Sequence, residues 1–341
     1  MKLPLWLIKI TTYEYWTWWA FYIPLLPYWL YLAVKTRSLT FFTNANTCIE
    51  YGGFFGESKK EILAHIPSEY LPKSLFVEKE TTFFSLKEAL ITQFSANPFP
   101  IICKPNVGER GTQVEKVCDW EALATYLSEN PVEFIIQEYI DFEIELGVLY
   151  HRLPSANKGQ ISSITRKEFL AVTGDGKSTI EELMQQRTRA RFQLESMRQR
   201  LGKGMQEVLP SHEKRILEPI GNHCRGTKFL DNNFLITPAL NAVFDKIALP
   251  IEGFHYGRFD MRVKSLEDLY EGKNIRIMEL NGVSSEPGHI YDPIGNIWKA
   301  YRDLAHHWKI IANISIEQQQ RGIQPVPYQV ILKVVKGHFG L

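Results

Sequence analysis

The chain has 341 residues, with 39 lysines and arginines against 38 aspartates and glutamates, for a formal net charge of +1. No whole-molecule field draws in a polyanion, so nucleic acid is not expected as a partner, while the length suffices for two or three subdomains around one cleft. Cys48, Cys103, Cys118 and Cys224 lie far apart, with no C-x-x-C and no zinc spacing, which reads as a reduced cytoplasmic chain with incidental thiols.

The amino terminus is aromatic. No residue from Tyr15 to Val34 is charged, and five of the eight tryptophans fall between Trp6 and Trp29. Pro24 and Pro27 interrupt the run, where each removes a helix hydrogen bond, and Trp and Tyr favour an interface over a hydrocarbon centre. A simple membrane span is therefore not expected. Neither is a secretory signal, since the apolar stretch is broken and no small-residue cleavage site follows. Two readings stand: an aromatic layer packed on the protein's own core, which we favour, and a bent segment over 13–37 touching a membrane, with Lys35 and Arg37 at anionic headgroups.

Gly52, Gly53 and Gly56 form a turn, and Ser58 can cap a helix from Lys59 to about His65, before Pro67. Phe99 to Lys104 reads as a strand, after which Pro105, Gly108 and Gly111 frame a loop before a second strand. Glycine lets backbone amides approach phosphate oxygens closely, and Lys104 adds a point charge. A helix from Asp119 to Asn130 precedes a buried strand, Val132 to Gln137, and then the polar run from Glu138 through Glu145.

LAVTGDGKSTIEELM has the strand, Gly-Lys-Ser turn and helix of a Walker loop, but Ala171 stands where the first glycine is needed. Thr179 to Gly204 is helical and basic, with Arg187, Arg189, Arg191, Arg198, Arg200 and Lys203 facing few acids, Glu195 among them. A solvated face is favoured there over a clamp for an acidic substrate. In IGNHCRGTKF, His223, Arg225 and Lys228 surround Gly221 and Gly226, a cationic loop where carboxylate or phosphate could sit.

HYGRFDMRV alternates Tyr256, Arg258, Asp260 and Arg262 against Gly257, Phe259, Met261 and Val263, the period of a strand with one polar face. NIRIMELNGV is a second strand carrying Glu279 and Asn281, and the polar connection from Lys264 to Asn274 suggests an antiparallel pair with Asp260 opposite Glu279. Two carboxylates and an amide suit a hard cation such as Mg²⁺, with Arg258 beside it for developing oxygen charge. The competing reading is a structural ion-pair cluster. Ser284, Ser285, Glu286 and His289 follow in a loop beside this pair. Helix from Ile294 to about Gln320 then places Trp298, Tyr301, Leu304 and Trp308 at core spacing, with His306 and His307 expected at the surface.

GRFDMR paired with IMELNGVSSEPG resembles the metal-binding end of the ATP-grasp ligases, the superfamily containing D-alanine:D-alanine ligase and cyanophycin synthetase. The lysine and glycine loop at 104–111 and the Ser-Lys helix start are similar to the same family, and GDGKST resembles its connector to a helical insert. The resemblance implies an α+β ATP-grasp fold, two lobes around a Mg-ATP cleft, with residues 1–50 an aromatic segment, 51–150 a nucleotide lobe, 151–250 a connector with a helical insert and 251–341 a metal lobe. It implies Asp260, Glu279 and Asn281 as ligands of Mg²⁺ (or Mn²⁺), and Arg258 and Arg225 as cations facing the reacting groups. For ATP it implies Lys59, Lys104, Gly108, Arg110 and Gly111 at the phosphates, Glu138 and Tyr139 in an adenine hinge, and Glu145 at the ribose. Asp141-Phe142-Glu143 replaces the usual glycine, leaving Glu143 as a competitor. His223, Lys228, Glu286 and His289 are the expected substrate contacts.

The implied reaction joins a small-molecule carboxylate to an amine or related nucleophile through an acylphosphate. A kinase that stops at the phosphorylated product, and a membrane-facing nucleotide binder without turnover, are the alternatives. The resemblance implies a Rossmann-like domain before the Ser58 helix, where residues 1–57 read instead as the aromatic segment and a glycine turn.

Overall fold

A computed structural model describes residues 3–108 and 111–339. Strands β1 (Ser74–Val77), β2 (Ile101–Pro105), β3 (Glu115–Val117) and β4 (Phe134–Glu138) form an antiparallel sheet in the order β1-β4-β2-β3. Helices Phe83–Gln93 and Trp120–Glu129 cover it, capped by Thr82 and Asp119, and Leu86, Leu90 and Leu123 close its core against Cys103, Phe134 and Ile136. This is the first lobe.

The second lobe is built from β5 (Ile144–His151), β6 (Gln160–Glu168), β9 (Lys228–Asp231), β10 (Tyr256–Val263) and β11 (Ile275–Asn281), in the order β11-β10-β5-β6-β9. Strand periodicity sorts its faces. Phe259, Met261 and Val263 pack with Leu146 and Val148 against Leu240, Phe244 and Ile247 of helix Pro238–Ala248. Each such burial is worth roughly 1.5–3 kcal/mol, so the apolar face holds the register while the other face stays polar.

β7 (Ala171–Thr173) and β8 (Lys214–Ile216) pair apart from both sheets and carry the helical insert, Ile180–Gln186, Thr188–Arg191 and Leu194–Leu201. Val172, Met184, Met197 and Leu209 give it a core of its own. The α+β class and the two lobes are thus as expected. The boundary placed between 150 and 151 needs correction: it cuts β5, and the second sheet draws strands from all three expected segments after residue 50.

Three local expectations also change. The connection between β10 and β11 contains a helix, Leu266–Glu271, because Ser265 caps it and Gly272 ends it at φ +70°. Trp298 is exposed, because burial along helix Ile297–Gln320 runs through Ala300, Leu304, His307, Ile311 and Ile314. His307 therefore lies inside the protein, its Nδ1 3.2 Å from the Tyr256 hydroxyl, and burial holds its pKa well below 6.5.

The amino-terminal segment folds as helices Leu5–Thr11, Trp18–Tyr22 and Leu26–Lys35. Pro24 and Pro27 fall in first turns, where no amide donor is missed. Phe21 and Leu25 pack on Ile290, Ala300 and Leu304, and Leu32 and Ala33 on Ile310, Ile311 and Ile314. Among the described residues no helix is long and apolar enough to cross a membrane.

Candidate active site

The polar face of the second sheet gathers the charged residues. Asp260 pairs with Glu279, and Arg258 with Asn281, in the antiparallel register anticipated from the sequence. Beyond Asp260 the register shifts, so Met261 faces Ile277, and the bulge leaves the Met278 carbonyl free to accept from Lys104 Nζ at 2.8 Å. That bond ties β2 of the first lobe to β11 of the second.

Asp260 is buried and heavily engaged. Arg258 donates to both of its oxygens at 3.1 Å, Lys167 Nζ lies 3.1 Å from Oδ1 and the Asn281 amide nitrogen donates to Oδ2 at 3.1 Å. Burial pushes this carboxyl's pKa up, but Arg258 and Lys167 outweigh it and bring it down to about 2. Burial pulls Lys167 down, and Asp260 and Glu145 reverse that into a net rise. Glu279 makes no hydrogen bond or direct ion pair among the described residues, and its charge acts on Lys104 and Arg258.

From the first lobe comes Lys104, fully enclosed. Burial lowers its pKa to about 8, with Glu279 opposing and nearby Lys59 adding to the fall. Ser58 caps the helix Lys59–Ala64 as expected, and Lys59 Nζ donates to the Gly108 carbonyl at 2.6 Å. Gly111, at φ +73°, approaches Asn222 and Arg225, and Arg225 donates to the Val114 carbonyl at 3.2 Å. The glycine loop and the cationic loop therefore meet. Arg110 lies outside the described residues.

At the other end, Arg262 fixes the run between β4 and β5. Its Nε donates to Glu145 at 2.9 Å and its Nη1 to the Ile140 carbonyl at 2.5 Å, and its guanidinium lies over the Tyr139 ring at 5.3 Å. Glu145 is buried between Arg262 and Lys167, and a side chain at Gly221 would strike its carboxylate. Glu138 Oε1 accepts from the Lys73 amide at 3.0 Å.

The remaining expected contacts divide. Gly53, at φ +84°, and Gly282 pack backbone to backbone, so the turn at 52–53 closes on the strand end beside Asn281. Glu286 takes a 2.6 Å bond from Tyr291 while its Oε1 is closed off without a partner among the described residues, and Arg258 donates to its backbone carbonyl at 3.2 Å. His289 is buried between Ser163 at 2.7 Å and Asp303 at 3.1 Å. His223 lies 3.6 Å from Glu14 of the amino-terminal segment. Lys228 departs from the group: β6 and β9 place it opposite Glu168, to which it is paired at 3.1 Å, on the sheet face away from Lys167.

The Walker-like turn does not present its amides, because Asp175 already accepts from the Lys177 and Ser178 amides at 2.9 and 2.7 Å. Within the insert Arg198 is paired with Glu181 and Arg200 with Glu218, while Arg187 and Arg191 donate to the Ala171 and Leu3 carbonyls. Arg189 is paired with Glu14.

Sequence reasoning missed Lys167 and the anchoring role of Arg262. Period two in β6 puts Ser163, Thr165 and Lys167 on one face, which was the available signal. The charges now form one chain: Lys59, Lys104, Glu279, Arg258, Asp260, Lys167, Glu145 and Arg262. Two open depressions of about 450 and 490 Å³ lie beside the insert, and the first borders this chain only through Lys167. Convergence of charge, not volume, marks the site.

Fold and site together define a two-lobed α+β protein with a charged seam between its sheets. Among the solved structures similar to the chain are a synthetase and two ligases. A bifunctional glutathione synthetase from Pasteurella multocida matches with a TM-score of 0.37 at 13% identity, over 72% of this chain and 35% of that one. A D-alanine–D-alanine ligase from Bacillus anthracis gives 0.40 at 16%, over 78% and 67%, and a D-Ala:D-Ser ligase from Enterococcus faecalis 0.40 at 14%, over 73% and 60%. The chain thus spans about a third of the first, about two thirds of the second and 60% of the third. No family model matches the chain. No curated protein matches it either.

Proposed function

We propose that the protein is an ATP-dependent ligase that joins a small-molecule carboxylate to an amine or related nucleophile. The observation that carries this reading is the seam itself. Five cations, Lys59, Lys104, Lys167, Arg258 and Arg262, meet three carboxylates, Glu145, Asp260 and Glu279, at the junction of two sheets. A structural cluster would be expected to balance its charges, whereas an excess of cations converging on one seam favours a polyanion such as a triphosphate.

The donor set also fits a hard cation. Among the described residues no group of three or more His, Cys, Asp or Glu converges, but Glu279 is uncommitted, Asp260 is opposite it in register and Asn281 is adjacent. These three would hold Mg²⁺ or Mn²⁺, which supplies charge neutralisation at phosphate oxygens. Arg258 and Lys167 now satisfy Asp260 and would turn toward the incoming anion.

In the proposed reaction the substrate carboxylate oxygen attacks the γ-phosphorus of ATP, the bond to the bridging oxygen breaks, and ADP leaves. The nucleophile then displaces phosphate from the acylphosphate and loses its proton to solvent. Lys104 and Lys59 would bind the phosphates, Arg258 would face the reacting oxygens, and Tyr139 and Ile140 would border the base.

Phosphate release from Mg-ATP, screened over amino acids, peptides and other acceptors, tests this. Release that needs both a carboxylate and a nucleophile is the expected result, and transfer to one substrate alone would make the enzyme a kinase. Glu279→Gln is expected to lower turnover about 10²–10³-fold with the melting curve retained. Near-parental turnover at saturating Mg²⁺ would remove Glu279 from the site.

A further inference from the structure

The amino-terminal segment is apolar on two sides, and its core packing uses only one. In helix Leu26–Lys35, Leu32 and Ala33 face inward with Tyr28 and Trp29, whereas Leu26, Leu30, Tyr31 and Val34 point outward at the i, i+4, i+8 spacing of a second stripe. The same holds upstream. Trp6 is 63% exposed, Trp18 68%, Trp19 53%, Tyr31 58% and Val34 77%. Single exposed apolar residues are ordinary, but a run of this size and aromatic content marks a contact surface.

Further exposed apolar residues lie near the segment. Trp298, itself exposed, packs edge-on to Tyr301, whose ring meets the buried Phe21 of the segment. The Val326 carbonyl accepts from Thr40 at 2.5 Å and its amide donates to Thr43 at 2.8 Å, so helix Tyr328–Phe339 starts beside the end of the segment, with Tyr328, Val330 and Leu332 exposed.

Charge names the partner. Glu14 is the only acidic residue before Glu50, and it is buried against Arg189. From Gly322 to Leu341 there is no acid, and Lys333 and Lys336 lie on the last helix. The exposed charges of both ends, Lys9, Lys35, Arg37, Lys333 and Lys336, are all basic. Trp and Tyr rings at headgroup depth with surrounding cations are the composition of an interfacial anchor, and helices this short lie in that plane rather than cross it.

We propose that this face docks the protein on an anionic lipid bilayer, with Trp6, Trp18, Trp19, Leu30 and Tyr31 entering the interface and Lys9 and Lys35 at the headgroups. Inner-face packing and outer-face docking then coexist on one segment. The proposal stands independently of the ligase reading.

The test is co-sedimentation of the full chain with vesicles of phosphatidylcholine alone or mixed with phosphatidylglycerol. The parent should sediment with the mixed vesicles, less with the zwitterionic ones, and less as salt rises. Trp18→Ser, Trp19→Ser, Leu30→Ser and Tyr31→Ser combined should weaken partitioning at least about tenfold with the melting curve kept, and Lys9→Glu with Lys35→Glu should remove the preference for anionic lipid. Phe84→Ser, at an exposed apolar residue in the first lobe, should change nothing. The proposal is overturned if the parent stays in the supernatant or the fourfold variant binds like the parent. It is equally overturned if the parent is a dimer in solution that these four substitutions dissociate, which would make the face an interface between two copies.

Discussion

Glu286 offers a titration that reads its surroundings directly. Burial lifts its carboxyl to about 7 from the usual 4.5, against the Tyr291 hydrogen bond. Between those values the folded protein holds a proton that the unfolded chain has released, so the stability it contributes is full below about 4.5 and lost as pH rises through about 7. Glu286→Gln keeps the shape and never charges. Its melting temperature should exceed the parent's by roughly a few degrees above pH 7, with the gap closing toward pH 4.5. A constant gap across that range would mean the carboxyl is already solvated. At this scale the sequence was informative where a residue's neighbour lies on an adjoining strand of fixed register, as for Asp260 and Glu279. It missed Lys167, which meets Asp260 from a strand remote in the chain although Glu145 lies opposite it on the adjoining β5, and Glu14, whose partner Arg189 sits in the insert.

The elements explain why the seam has its shape. The bulge in β11 frees the Met278 carbonyl for Lys104, and the glycine turn at 52–53 seats against Gly282 because neither side carries a Cβ. Gly282→Ala would put a methyl group 2.7 Å from the Gly53 Cα, with Gly52 closer still. It should cost about 1–3 kcal/mol by urea unfolding and disturb Asn281 next door, whereas Gly204→Ala, with only Leu201 Cβ within reach at 3.8 Å, should be close to neutral. Equal stability of both variants would show that the turn has room to move. Strand periodicity made β10 and β11 readable. The bulge was not, because it depends on which tertiary partner claims a carbonyl. His307 was misplaced for a related reason: its stripe runs with Leu304 and Ile311, and an aromatic spacing through Trp298 masked it.

For the whole molecule, the aromatic amino terminus acts as part of the core. Phe21, Leu25 and Leu32 alone bury side chains worth roughly 1.5–3 kcal/mol each, and they cover the helix Ile297–Gln320. A chain starting near Ser38 should melt well below the parent or fail to stay in solution, and an unchanged melting temperature would contradict the packing. The two-lobed α+β plan came from the family resemblance of the lysine-glycine loop and the β10–β11 pair, while hydrophobic period alone marked single strands and left the mixing of three segments in one sheet unread, since long-range pairing leaves no local mark. The central claim concerns where a nucleotide sits, and calorimetric titration with Mg²⁺ and a non-hydrolysable ATP analogue tests it most directly. The parent should bind, Lys104→Met should weaken binding at least about tenfold through loss of a charge-assisted contact, and Lys177→Ala, at the turn whose amides Asp175 occupies, should change it less than about twofold. Full affinity in Lys104→Met with loss in Lys177→Ala would move the nucleotide to the Walker-like turn and contradict the account.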